Sequence, residues 1–532
     1  MALPLYIYTL FGLVPFFALV RWKAYRTLRK AAPSPPGPPG LPFLGTVSML
    51  WERKPWLRFM EWKVVYGPVV QLKILGKTIV VLNTHEAAFD LLCCRNKIYN
   101  GRPRSILISE MMTGGLAFPL VDYGELWKGH RRAAQTVLSP HAVEQYHDNQ
   151  ERHSERLVQS LLQDSEAWSE HVRDSLYSLF CSVGYGDANK DKASYHIRKF
   201  IGRIVHAAIP GSAVTDFFPF LARFPGWLLP SKGRHLAQFQ ADNEDFVRLV
   251  SQLQLDMPGE DSMTTNLLEN RGTNQMMLRE IAWLIAVLCA IGGEVACTFQ
   301  LLFPRIVPYP ISGLISIQTS SVLPVFVLAM ALYPAVQQRA QEEIDSVVGK
   351  GRFPTFQDRN KLPYVQAIVR EVLRWRPIGP IGFPRCCLQT ENLQDDIYKG
   401  YLIQAVKAGS IVVPNIWAMN RDPHLYRDCD KFYPERFLDF KGDVPGALGQ
   451  GHVSYGFGDR ICSGMHIADD ALFINIAAIL HACDIRESPD SPLAKDVFED
   501  FGIVTISGGL DPSHVKSQHA VQLFRPMFPT LP

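Results

Sequence analysis

Long apolar stretches alternate with polar, proline-rich and glycine-rich segments along the chain. Residues 3–20 carry no charged side chain, and as a helix they span roughly 27 Å, enough for the hydrocarbon core of a bilayer. Two further apolar runs, 280–299 and 467–480, predict buried helices. Residues 69–74 and 78–82 are rich in β-branched side chains on either side of a Gly-Lys pair, and they predict a β-hairpin.

The first apolar stretch is followed by basic residues and then by prolines. Arg21, Lys23, Arg26, Arg29 and Lys30 come after it, and no charged side chain precedes it. Because Lys and Arg mark the cytosolic end of a membrane helix, residues 1–30 predict an uncleaved single-pass anchor with the body of the protein in the cytosol. The Pro/Gly-rich residues 31–45 predict a stiff hinge, and residues 46–532 the globular domain.

Composition narrows the class of protein. Hydrophobic residues form 47% of the 532 residues, which excludes general disorder, and a net charge of +3 gives no sign of nucleic-acid binding. The 10 cysteines include no Cys-x-x-Cys pair, so their spacing predicts neither a zinc site nor a disulfide framework. We expect a reducing, cytosol-facing environment.

One cysteine, Cys462, lies in a glycine-rich loop directly before the apolar run 467–480. Backbone N–H groups and the positive end of the helix dipole stabilise a thiolate at such a position, and Arg460 adds a cation two residues away. A thiolate on a glycine loop beside an arginine suits an iron macrocycle with acidic side groups. The alternative is a buried structural cysteine beside a turn.

The loop resembles the heme-binding signature of the cytochrome P-450 family, Phe-x-x-Gly-x-Arg-x-Cys-x-Gly. Gly458, Arg460, Cys462 and Gly464 match it, and Tyr455 stands in place of the phenylalanine. The resemblance implies a mainly α (α+β) cytochrome P-450 fold, with a triangular helical body and a small β-sheet region. It also implies heme b, with Cys462 as the axial iron ligand.

Trp127 and Arg131 are four residues apart and share one face of a predicted helix. An indole N–H and a guanidinium can together bind a carboxylate, although a cation–π or surface contact is the simpler explanation. The resemblance implies that both bind a heme propionate, as does Arg385 in the proline-rich segment 377–385. The expected cofactor-binding set is Cys462, Arg460, Trp127, Arg131, Arg385 and Gly458, with Cys462 as the metal ligand.

The apolar run 280–299 contains Gly292, Glu294, Val295 and Thr298. The resemblance implies that this helix passes beside the iron, where its glycines leave room for dioxygen and an acid and an alcohol relay protons. The acid is Glu294, but the alcohol position holds Val295, which donates no proton. We therefore expect Glu294 and Thr298, on the same face, as the catalytic residues. The alternative for the glycines is a structural role in a core helix.

Residues 301–323 interrupt the region where the family has one continuous helix. They contain three prolines, and each proline inside a helix costs roughly 3 kcal/mol or more. The segment reads as an insertion, either a genuine extra loop or a translated, unspliced intron, and we favour the intron.

Glu371 and Arg374 are three residues apart on a predicted helix. Alone, such a pair is most often an exposed salt bridge worth under ~1 kcal/mol. The resemblance implies instead a buried cluster with Arg436, which would stabilise the core on the cysteine side.

The resemblance implies a monooxygenase of the endoplasmic reticulum membrane that hydroxylates or oxidises a lipophilic small molecule. Electrons would come from NADPH through the NADPH–cytochrome P-450 reductase, with cytochrome b5 as a second donor. The residues near Trp417 and Pro434 are most similar to fungal enzymes of the O-methylsterigmatocystin oxidoreductase type, which implies secondary metabolism or xenobiotic oxidation.

Two alternatives stay open. Val295 favours a heme-thiolate isomerase or dehydratase, because that chemistry needs no proton relay to bound dioxygen. The insertion favours a heme protein that is catalytically disabled.

Overall fold

Helices make up most of the described chain. We use a computed structural model that describes residues 32–42, 44–52, 54–207, 214–217, 219–224, 230–256, 261–293, 319–388, 396–403, 410–438, 444, 449–487 and 521–524. The predicted anchor and the catalytic candidates Glu294 and Thr298 lie outside these residues. The α-helices are Pro55–Tyr66, His85–Phe89, Asn96–Tyr99, Glu125–Leu138, Pro140–Val143, His147–Gln163, Trp168–Tyr185, Lys190–Ala207, Val214–Phe217, Pro230–Asp256, Met263–Glu269, Arg271–Asn274, Leu278–Gly293, Thr319–Leu332, Pro334–Val347, Pro363–Trp375, Ile416–Met419 and Met465–Ala482.

Shorter helical turns connect these elements. The 3₁₀ turns are Val47–Trp51, Phe118–Leu120, Glu144–Tyr146, Pro219–Arg223, Phe356–Lys361, Pro434–Phe437 and Gly458–Arg460, and the π turns are Asp90–Cys94 and Ile106–Met112. Several helices begin with proline in their first turn, as at Pro55, Pro334 and Pro363. Proline is favoured there because its missing N–H would have no intrahelical partner.

The predicted hairpin is confirmed and forms part of a small mixed sheet. Strands β1 (Val69–Ile74) and β2 (Lys77–Leu82) pair antiparallel. Strand β6 (Ile411–Pro414) runs parallel to β2, and β3 (Arg385–Cys386) pairs antiparallel with β6. This order brings Arg385 to the sheet edge beside the cysteine loop. Two further antiparallel pairs are β4 (Asp396–Tyr398) with β5 (Tyr401–Ile403), and β7 (Asp484–Glu487) with β8 (Val521–Phe524).

The main core surrounds two helices, Leu278–Gly293 (hereafter the central helix) and Met465–Ala482 (hereafter the cysteine helix). Both are apolar on nearly every side, which is the pattern of a helix buried all round. The cysteine helix has the length and hydropathy of a membrane span, but 72% of that window is buried inside the protein. We therefore assign it to the core.

The glycine pair in the central helix allows it to approach helix Trp168–Tyr185 closely. A Cβ atom at Gly292 would lie 2.3 Å from the ring of Phe180, and one at Gly293 would lie 2.7 Å from the ring of Tyr177. These glycines therefore have the structural role in a core helix that was the alternative to a role beside the iron. Gly292 also lines the site cavity, so both roles can coexist.

Helix Thr319–Leu332 includes the last five residues of the predicted insertion. Val322 and Leu323 are buried in the main core, and Val322 lines the site cavity. Val322 and Leu323 are thus part of the described core.

The buried ion cluster is confirmed. Arg374 donates from Nε and Nη2 to the two carboxylate oxygens of Glu371 at 2.7 and 2.8 Å, and both side chains are fully buried. Arg436 donates from Nε to Glu371 at 3.2 Å. Arg374 also donates to the carbonyl oxygens of Asn420 and Cys429, at 2.8 Å each. The cluster therefore fixes the segment before the cysteine loop to helix Pro363–Trp375.

Candidate functional site

A cavity of about 220 Å³ lies between the cysteine loop, the central helix and the start of helix Glu125–Leu138. Five of the six predicted cofactor-binding residues line it. They are Cys462, Arg460, Trp127, Arg131 and Arg385. Gly458 lies on the same loop but faces away. With φ at 53°, a Cβ atom there would meet the carbonyl oxygen of Leu92 at 2.3 Å, so this glycine permits the loop to pack on the Asp90–Cys94 turn.

The cysteine loop places Cys462 three residues before Met465, the first residue of the cysteine helix, as predicted. The N–H of Cys462 donates to the carbonyl oxygen of Tyr455 at 2.9 Å, which closes the loop. Burial raises the pKa of the Cys462 thiol, while the N–H of Gly464 and the nearby charge of Arg131 act in the opposite direction. A half-buried thiol of this kind is held protonated by its surroundings unless a cation, such as a metal, is bound to it.

Four arginines converge on the cavity: Arg102, Arg131, Arg385 and Arg460. Arg102 donates to the carbonyl oxygens of Pro119 at 2.8 Å and Pro384 at 2.7 Å. The other three also donate to carbonyl oxygens. Arg131 donates to Ile461 at 2.7 Å, and Arg385 donates to Leu92 and Phe457. Arg460 donates to Asn100 and Val121. Among the described residues, none of the four forms a salt bridge with a carboxylate.

Burial and the mutual proximity of these cations disfavour their charged forms. Burial lowers the pKa of Arg385 to about 9, with a further contribution from the charge of Arg102. Burial and then the charges of Arg102 and Arg385 lower the pKa of Arg460 to about 8. Burial also lowers the pKa of Arg102, to about 10. Burying a cation without a nearby anion costs free energy. An anionic ligand bound in this site would offset that cost.

Trp127 contacts a different arginine from the one that its spacing suggested. The guanidinium of Arg460 lies 4.3 Å from the centroid of the Trp127 ring. Arg131, one turn along the helix, instead binds the carbonyl oxygen of Ile461 beside Cys462. Trp127 therefore forms a cation–π contact with Arg460 and not with Arg131, and its binding of a propionate stays a prediction.

Arg102 is the residue that sequence reasoning missed. It lies in an irregular segment without periodicity, and it reaches the site because Gly101 pairs with Cys386 next to β3. A Gly-Arg-Pro triplet carries no chemical signature, so only the pairing of these distant segments identifies it. In the proline-rich segment 377–385, Ile378 and Phe383 also line the cavity, whereas Ile381 packs into the core beside the sheet.

These residues fit a heme. Cys462 lines the cavity, where its thiolate would suit an iron ligand, and the arginines without a carboxylate partner would suit two propionate carboxylates. Apolar side chains form much of the remaining wall, including Phe118, Leu288, Ile291 and Leu472. A single thiolate, a set of cations and an apolar wall define a heme-thiolate protein.

Comparison with known proteins gives the family. The Cytochrome P-450 family model matches residues 35–288 and 318–511. Cytochrome P-450 monooxygenase 58 of Postia placenta is 40% identical over 461 residues, covering 85% of this chain and 81% of the relative. A cytochrome P-450 monooxygenase of Armillaria gallica is 35% identical, covering 87% of this chain and 86% of the relative. The chain therefore belongs to the cytochrome P-450 family, and it is a heme-thiolate monooxygenase.

Proposed function

We propose that this protein oxidises a lipophilic small molecule, with Cys462 as the iron ligand. The observation that carries the proposal is the mixed lining of the cavity: four arginines line it together with Cys462, while Phe118 and Ile291 contribute apolar wall. The cations would hold the propionates, and the apolar wall would bind the substrate and exclude water. Apolar walls discriminate weakly among substrates of similar size, so the substrate class is broad.

The residues of the site would have separate roles in holding the cofactor and in delivering protons. Cys462 would hold the iron and donate electron density to it, and bound heme would supply the activation of dioxygen. Arg385 and Arg131 orient the cofactor by pairing with its carboxylates. Glu294 and Thr298 remain our candidates for delivering protons, because they lie in sequence directly after the cavity-lining Gly292.

We propose that NADPH supplies the electrons through a flavoprotein reductase, and that residues 3–20 anchor the chain in the endoplasmic reticulum membrane. The run of basic residues after this apolar stretch supports the cytosolic orientation. The chain is similar to monooxygenases of other fungi, among them iboC of Amanita muscaria at 31% identity, and the apolar wall of the cavity supports the oxidation of a lipophilic secondary metabolite or xenobiotic. Fractionation of cells expressing the full chain and a chain lacking residues 1–30 tests the anchor: only the full chain should sediment with membranes.

The test of the heme ligand uses the reduced, carbon monoxide-treated protein. We expect the Soret band of a thiolate-ligated carbonyl complex in the wild type and its loss in Cys462→Ser. Cys429→Ser, a half-buried cysteine outside the cavity, is the matched control and should keep the band. Retention of the band in Cys462→Ser, or its absence from a wild type that binds heme, would contradict the assignment.

Turnover separates the monooxygenase from an isomerase. With reductase, NADPH and labelled dioxygen, a monooxygenase places one labelled oxygen atom in the product, whereas an isomerase converts a peroxide without NADPH. Val295 in place of an alcohol is the feature that favours the isomerase. Labelled product with NADPH and none without it would exclude the isomerase.

We also propose that the segment before Thr319 is an insertion. The two parts of the family match leave out residues 289–317, which supports this placement. A transcript sequenced across this region will show whether the segment is spliced out. A chain lacking residues 301–318 should then bind heme at least as well as the full chain, and failure to fold would contradict the proposal.

A further inference from the structure

The cysteine loop carries a tyrosine where the family signature has phenylalanine, and the structure gives its hydroxyl a definite partner. Tyr455 lines the cavity, and its hydroxyl donates to Asp469 Oδ1 at 2.9 Å. The carbonyl oxygen of the same residue accepts the N–H of Cys462 at 2.9 Å. Tyr455 therefore connects the backbone of the cysteine to a carboxylate on the cysteine helix.

The carboxylate belongs to a larger network. Arg359 lies 3.8 Å from Asp469 and also forms an ion pair with Asp470. Nε2 of His147 lies 3.2 Å from Asp470 and its ring stacks on Phe356 at 3.8 Å between centroids. The network thus joins the cysteine helix to the Phe356–Lys361 turn and to helix His147–Gln163. Asp469 belongs to the cysteine helix and lies near Arg359 of the Phe356–Lys361 turn, so its position does not depend on the loop alone.

The energetics favour a strong bond between the two side chains. Burial raises the pKa of Tyr455, and the nearby carboxylate of Asp469 adds to this effect, so the phenol is a neutral donor. Burial also raises the pKa of Asp469, and the bond from Tyr455 is the largest contribution that opposes it. Each group is poorly solvated without the other, which is the condition under which a charge-assisted hydrogen bond is most effective.

We infer that Tyr455 is a positioning residue: its hydroxyl bond to Asp469 anchors the loop and keeps the sulfur of Cys462 in place for the iron. Without the anchor, the carbonyl of Tyr455 can shift, and the N–H of Cys462 loses its acceptor. The inference rests on the proposed role of Cys462 as the iron ligand. A phenylalanine at position 455 would keep the aromatic packing but remove the connection to Asp469.

The test measures how fast the thiolate-ligated carbonyl complex converts, under mild heating, to the form that has lost the thiolate. We expect Tyr455→Phe to start with the wild-type band and to convert about tenfold faster, the change that loss of one charge-assisted hydrogen bond produces. Asp469→Asn retains an acceptor oxygen and should convert only slightly faster than the wild type. Asp469→Leu should resemble Tyr455→Phe, and the double variant should be no faster than either single variant.

Tyr364→Phe is the matched control. Tyr364 is also a buried tyrosine, and its hydroxyl donates to Glu435 at 2.8 Å, away from the cavity. The Tyr364→Phe variant should have a lower free energy of unfolding than the wild type, but it should lose the thiolate ligand at the wild-type rate. Equal acceleration in Tyr364→Phe and Tyr455→Phe, or a wild-type rate in Tyr455→Phe, would overturn the inference. A wild type that never shows the thiolate band would instead refute the role of Cys462.

Discussion

Replacing Gly292 by alanine distinguishes close helix packing from a need for free space beside the iron. The new Cβ atom would lie 2.3 Å from Cδ1, 2.4 Å from Cγ and 2.7 Å from Cδ2 of Phe180. Phe180 is itself buried in the main core, so the ring cannot move into solvent. Overpacking of this kind costs about 1–3 kcal/mol, of which the higher helix propensity of alanine offsets about 0.8–1 kcal/mol.

Gly202 offers a matched control. It lies inside helix Lys190–Ala207, and a Cβ atom there would meet no other atom within 4 Å. Gly202→Ala should therefore raise the free energy of unfolding by up to about 1 kcal/mol, because alanine has the higher helix propensity. The free energies of unfolding of the two variants should differ by about 1–3 kcal/mol, which is the overpacking cost alone.

The assay is urea unfolding of the heme-loaded proteins, followed by far-ultraviolet circular dichroism. Phe180→Leu should partly rescue Gly292→Ala, because a smaller side chain removes the collision, and the two substitutions should couple by at least about 0.5 kcal/mol. If Gly292→Ala is as stable as Gly202→Ala but has lost turnover, then Gly292 serves only to leave space at the iron, and the packing argument is refuted.

Three further predictions concern charged groups. Arg374→Leu should destabilise the protein by about 3–5 kcal/mol in the same urea assay, because it leaves Glu371 buried without its bidentate partner. Arg385→Leu should speed the transfer of heme to an acceptor apoprotein, since it removes a cation buried beside the cavity; an unchanged transfer rate would exclude a propionate contact. The bond from Arg352 lowers the pKa of Asp358 to about 2, so this pair contributes stability above the pKa of the unfolded chain, near 4, and loses it as pH falls towards 2. Arg352→Leu should thus be destabilised at pH ~7 and indistinguishable from the wild type near pH ~2, and a constant difference across this range would contradict the assignment.

Local sequence patterns predicted those parts of the structure that local rules determine. The hairpin follows from β-branched residues flanking Gly76, and the start of the cysteine helix follows from a glycine loop ahead of an apolar run. The Glu371–Arg374 pair required the family resemblance, because spacing alone favours an exposed salt bridge.

Contacts between distant segments could not be predicted in this way. Arg102 reaches the site through pairing of Gly101 with Cys386, some 280 positions later in the chain, and no periodicity reports such a pairing. The stacking of Arg460 on Trp127 also depends on how the loop packs against the helix. Likewise, the contact of Gly292 with Phe180 depends on the crossing of two helices.

The crowding of four arginines around the cavity links the supply of heme to the amount of folded protein. In the polypeptide alone these like charges lie close together, whereas bound heme would bring two carboxylates among them if the proposed propionate contacts form. A ligand that binds only the folded state stabilises it in proportion to the logarithm of its free concentration. A cell short of heme would therefore accumulate less of this protein through degradation of unfolded chains, even at an unchanged rate of synthesis.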